Sequence, residues 1–139
     1  MRFFIFYVLL LLSSPSSAMW EKLSDCDLLS DTSVIVYARF IGVTTLHTTD
    51  DLLQHLGILQ VHDSYKTSHA LPEFLLIKQA NPKGPVLSTD ITFLKGQTGL
   101  WFLTPLSTPY HDIYAVKSPQ YHWPNANHQQ WDKLYRSCQ

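Results

Sequence analysis

The chain has 139 residues, of which 45% are hydrophobic and 15% charged, enough apolar material for one buried core and too little charge for a disordered chain. Ten basic against eleven acidic residues give a formal charge of −1 with no Lys/Arg cluster. That excludes nucleic acid, whose binding rests on phosphate neutralisation, and electrostatic docking on anionic lipid.

The first eighteen residues, MRFFIFYVLLLLSSPSSA, carry Arg2, an uncharged run from Phe3 to Leu12 and a small-x-small end at Ser16-Ser17-Ala18. This pattern predicts a secretory signal peptide over 1–18. The run is short for a membrane span, so an uncleaved anchor is the competing reading. Cleavage leaves residues 19–139 as a single domain, with nine basic against eleven acidic residues and no membrane insertion afterwards. Two cysteines remain, Cys26 and Cys138. In an exported chain an even pair reads as a disulfide, here with one possible connectivity. A redox pair would need a short C-x-x-C spacing.

In chain order, SVIVYARFIGV (33–43) is apolar on both alternating faces, with Val34, Val36, Ala38 and Phe40 on one and Ile35, Tyr37, Ile41 and Val43 on the other. It predicts a strand covered on both sides, with Gly42 available for a bulge. The stretch TTLHTTDDLLQHL (44–56) reads as a polar connection with a short helical turn over 50–56. In GILQVHDSYKT (57–67), Leu59, Val61 and Tyr65 alternate with Gln60, His62 and Ser64, a half-buried strand. Further strands are expected over 73–79, 91–94, 100–103 and 112–117, with Lys95-Gly96 as a turn and Gly99 free to take a positive φ. Trp131, Leu134, Tyr135 and Cys138 recur at i, i+3, i+4 and i+7, and Asn127 stands three residues before Gln130 like a capping box. A helix over about 127–138 follows, docked by the face that carries Cys138.

The fold class predicted is mainly β, a small curled antiparallel barrel with the C-terminal helix packed on it. The stretches SDTSVIVYARFIGV (30–43), LQVHDSYKT (59–67) and FLKGQTGLWFL (93–103) resemble, in order and hydrophobic spacing, the strands of OB-type barrels of the netrin-like kind. That module occurs in tissue inhibitors of metalloproteinases and in many exported bacterial proteins. The resemblance spans roughly residues 26–117. It implies the fold; the inhibitors' N-terminal Cys-x-Cys, whose free amine and carbonyl coordinate the target's zinc, has no counterpart here.

Seven histidines, at 47, 55, 62, 69, 111, 122 and 128, form no H-E-x-x-H and no short cluster of zinc spacing, so no metal or other cofactor is expected. His62 on a polar strand face and His128 in the first helical turn read as solvated. There is no G-x-S-x-G elbow; Tyr110-His111-Asp112 are adjacent residues that point to opposite faces of a strand, and Asp50-Asp51 read as helix-start residues. An enzyme is therefore not expected. The stretch SPQYHWPN (118–125) sets Tyr121, His122 and Trp123 between two prolines. It reads either as a binding loop or as a cover over the open end of the barrel. The expected function is that of a monomeric, exported module that binds an unidentified protein through this loop, as an inhibitor or accessory subunit. A small-ligand or metal binder using histidines ranks second and an enzyme third. Protein binding requires an exposed aromatic patch, metal binding requires converging histidines, and catalysis requires a concave pocket with an acid and a base.

Overall fold

The computed structural model describes residues 22–47, 53–80, 91–106 and 113–139. The predicted signal peptide, Asp50-Asp51 and Tyr110-His111-Asp112 lie outside them. Helix α1 (Asp25–Asp31) opens the described chain. Its N-cap Ser24 accepts from the amide of Asp27 at 3.1 Å, and Asp25 and Asp27 place negative charge at the positive end of the helix dipole. The sequence reading has no helix here, although Ser24-x-x-Asp27 is the signature that marks one. Thr32 stops it, its Oγ1 donating to the Leu28 carbonyl at 2.7 Å.

Strands β1 (Val34–His47), β2 (Leu53–Lys66), β3 (Phe74–Lys78), β4 (Thr98–Pro105) and β5 (Ile113–Ala115) close into a barrel in the order β1-β2-β3-β5-β4-β1. A closed ring of five strands cannot alternate direction throughout, and the parallel seam falls at β3–β5, where Leu76 faces Ile113. The other pairs of the ring are antiparallel, as predicted. With the C-terminal helix and one disulfide, the chain is consistent with an OB-like module. A short strand, β6 (His122–Pro124), pairs with residues 99–101 of β4, on the edge whose far end holds β5.

Over residues 34–38 the two faces of β1 separate as their alternation predicts, whereas Val43, expected on a covered face, is 67% exposed. Val34, Val36, Ala38 and Phe40 fill the barrel with Leu59, Leu75, Ile77, Trp101, Leu103 and Tyr114. Ile35 and Tyr37 look outward into a second core with Leu28, Phe102, Tyr121 and the C-terminal helix α2 (His128–Ser137). The predicted bulge at Gly42 is present, Phe40 and Gly42 facing the consecutive residues Leu59 and Ile58. Two more were not foreseen. His62 is extra between Val61 and Asp63, and Tyr65 is extra between Ser64 and Lys66. Each extra residue shifts the alternation by one. Tyr65 therefore leaves the face of Leu59 and Val61 and joins the outer core. Lys66 reaches the Leu29 carbonyl at 2.8 Å and ties β2 to α1.

Two expectations are overturned on strand extent. Residues 53–56 belong to β2 rather than to a helical turn, because they pair with residues 44–47 of β1, and Leu56 pairs with Lys78 of β3 as well. Residues 91–94 form no strand: Phe93 turns inward onto Trp101 at 4.8 Å between centroids, and Leu94 is 77% exposed at the start of the Lys95-Gly96 turn. Gly96 takes φ +88°, and its amide donates to the Phe40 carbonyl at 2.7 Å. A Cβ at Gly99 would collide with the carbonyl oxygen of Trp123, so glycine there is what lets β6 approach β4.

Helix α2 starts where expected. Asn127 Oδ1 accepts from the Gln129 amide and Gln130 Oε1 from the Asn127 amide, each at 2.9 Å, completing the capping box. Trp131 and Leu134 are buried on the barrel, and Cys138 bonds to Cys26 with 5.3 Å between Cα atoms.

Candidate functional site

The stretch 118–125 is a 3-10 turn (Pro119–Tyr121) running into β6, which is paired to the edge of β4 rather than standing out as a loop. Leu100 opposite Trp123 and Trp101 opposite His122 set its register. Tyr121 turns outward into the second core and is buried. Its hydroxyl donates to Asp31 Oδ2 at 2.7 Å, to which Lys117 Nζ also donates at 3.0 Å. Burial first, then the bond and charge of Asp31, push the Tyr121 phenol up to about 12. The bonds from Tyr121 and Lys117 and the Lys117 charge hold the Asp31 carboxyl below its usual value. These contacts offset the negative end of the α1 dipole, where Asp31 sits. Trp123 is half-buried against Phe102, its Nε1 donating to the Gln120 carbonyl at 3.2 Å.

His122 lies on the barrel side of β6 and is 7% exposed. Its ring stacks on Trp101 at 3.8 Å between centroids and meets Phe93 edge-on at 5.6 Å, and Nε2 has no hydrogen-bond partner among the described residues. Burial lowers its pKa to about 4. Above the unfolded value near 6.5 both states are neutral, so native stability is undiminished there. As pH falls from 6.5 through 4 the unfolded chain binds a proton that the native state rejects, and stability is lost. At pH 4.5 the loss is about 2 to 3 kcal/mol from this residue alone. His122→Phe is expected to remove that part of the acid sensitivity, read as the difference between urea midpoints at pH 7 and 4.5. An unchanged difference would show that His122 does not titrate with unfolding.

The aromatic surface lies elsewhere. On the outer face Tyr65 stacks on Trp131 at 5.0 Å, and Trp131 meets Tyr135 at 5.7 Å. Tyr135 is 49% exposed. Between α1, the end of β2 and α2 runs a groove of about 330 Å³, lined by Leu29, Tyr65, Trp131, Tyr135 and the Cys26–Cys138 bridge. Sequence reasoning placed Trp131 and Tyr135 on the docking face of the helix but did not bring Tyr65 to them, because the bulge that redirects Tyr65 has no local signal. A second hollow, of about 220 Å³, lies beside Phe93, Gln79 and Val116, and among the described residues Lys78 is the one ionisable side chain in its lining.

The described histidines form no cluster. His62 is exposed beside the Tyr37 ring at 5.8 Å, His69 contacts Ser68, and His128 contacts Tyr65. His111 lies outside the described residues. Among the described residues no group of three or more His, Cys, Asp or Glu converges. Compared with protein-family models, with curated proteins and with solved structures, the chain matches none.

Proposed function

We propose that the chain is an exported protein-binding module, a netrin-like variant of the OB-like barrel, acting as an inhibitor or accessory subunit through the groove beside its disulfide. The observation that carries this reading is Tyr135, half-exposed above a groove floored by Tyr65 and Trp131 and bounded by the disulfide. Aromatic side chains held rigidly at a surface offer large contact area at low entropic cost and recur at binding hot spots. Here the stack of Tyr65 on Trp131, the tilted contact of Trp131 with Tyr135 and the covalent bridge supply that rigidity. Tyr121 and His122 are buried, and the contact is proposed instead at the groove beside the disulfide. Export is supported by the disulfide, and among the described residues no helix is long and apolar enough to cross a membrane. Inhibition by an N-terminal cysteine is not part of the proposal, since Cys26 sits in α1 and is bonded to Cys138.

The test is capture from envelope and secreted fractions with the disulfide-bonded protein as bait, beside Tyr135→Ala and Leu94→Ala. The expected result is a partner held by the parent chain and by Leu94→Ala, and lost with Tyr135→Ala by the tenfold or more (about 1.4 kcal/mol) that an anchor residue contributes. Capture that survives Tyr135→Ala, or fails with the parent chain, rejects the groove as the contact surface.

A further inference from the structure

Strand β1 has partners on both sides as far as Phe40, whose amide donates to the Gln97 carbonyl at 2.8 Å and whose carbonyl accepts from Gly96. Beyond Gly42 it pairs on one side alone. Residues 43–47 run one to one against residues 57–53 of β2 without a bulge, and among the described residues no strand pairs with their other edge. The direction of the backbone groups on that edge follows from β2. The His55 carbonyl accepts from the Gln79 amide at 2.9 Å, on the side away from β1. His55 and its partner Thr45 are therefore a non-hydrogen-bonded pair, and Thr45 turns its own amide and carbonyl away from β2. Val43 and His47, two residues to either side, turn theirs the same way.

Two other open edges are blunted against pairing. Residues 62–66 of β2 carry Asp63 and Lys66, and β6 ends on Pro124. The sequence VTTLH (43–47) holds no Lys, Arg, Asp, Glu or Pro; Val43 is 67% exposed, and Thr44 and Thr45 are exposed beside it.

We propose that this edge pairs with the same edge of a second copy of the chain, antiparallel across a two-fold axis at Thr45. The occupant follows from symmetry. The three outward-facing residues are centred on Thr45, so each copy meets the other in register: Thr45 opposite Thr45, and Val43 opposite His47 at both ends. Three hydrogen-bonded pairs give about six backbone hydrogen bonds, and no like charges are opposed. The surface lies outside the groove beside the disulfide and does not rest on that reading.

The test is sedimentation of the disulfide-bonded chain as concentration is raised about a hundredfold, the behaviour of a small, transient interface. The parent chain is expected to rise toward twice the monomer mass. Thr45 is exposed, so Thr45→Lys and Thr45→Glu leave the barrel intact, and circular dichroism checks that they do. Each variant alone is expected to associate at least tenfold more weakly, because the two-fold sets like charges opposite one another, and an equimolar mixture is expected to recover the dimer. A parent chain that stays monomeric overturns the proposal, as does undiminished association of either variant alone. Failure of the mixture to recover overturns the axis at Thr45.

Discussion

Replacing Cys26 and Cys138 together by serine is expected to lower the free energy of unfolding by about 4 to 5 kcal/mol, the largest single effect in this molecule. The bridge closes a loop with a sequence separation of 112 residues, and its loss returns that closure entropy to the unfolded chain. A second consequence is local. Helix α2 contributes only Trp131 and Leu134 as buried residues, and α1 only Leu28, so each short helix depends on the covalent tie to stay docked. Ten residues of isolated helix are marginal in water, and α2 is expected to fray before the barrel melts. Urea unfolding of the double variant beside the parent chain, with and without reductant, measures the first claim. Amide exchange across 128–137 measures the second. A double variant within about 1 kcal/mol of the parent would mean that packing alone holds the termini together.

Trp101→Ala is expected to cost about 3 to 5 kcal/mol, as for other fully buried tryptophans. Trp101 is completely buried, and its ring touches Phe40, Phe93 and His122, so it joins the barrel interior to the turn and to β6. Its Nε1 also donates to the Ala38 carbonyl at 3.0 Å. Trp101→Phe separates the two contributions. It keeps an aromatic ring against His122 and loses the buried donor, for an expected cost of about 1 to 3 kcal/mol including the smaller volume. Chemical denaturation of both variants gives the comparison. Equal costs would assign the whole effect to the hydrogen bond and the volume common to both losses, and would remove the ring stack as a source of stability.

The candidate site was legible only in pieces. The i, i+3, i+4 spacing of Trp131, Leu134 and Tyr135 identified a docking face, and the export pattern identified the disulfide beside it. The third wall, Tyr65, was assigned to the wrong face because period-two alternation presumes an unbroken ladder, and the bulges at His62 and Tyr65 break it twice. Tyr121, His122 and Trp123 show the opposite failure. Two flanking prolines and a run of large polar-tipped rings fit both a surface loop and a cover, and the ladder from β6 to β4 appears only in the tertiary structure.

By itself, then, the chain determined whatever depends on neighbours within about one turn or one pleat. The two-sided burial of β1 over residues 34–38, the bulge at Gly42, the capping box of Asn127 and Gln130, and the turn at Gly96 all follow from local sterics and hydrogen bonding. Tertiary structure decided what depends on closure. The parallel seam between β3 and β5 arises because five strands in a ring leave one pair unable to alternate. The burial of His122 arises because β6 takes the free edge of β4 over Trp101. The aromatic groove arises because a bulge in β2 turns Tyr65 toward a helix 63 residues further along the chain. Each of these is a contact between residues far apart in sequence, whose formation is rewarded only once the barrel has closed.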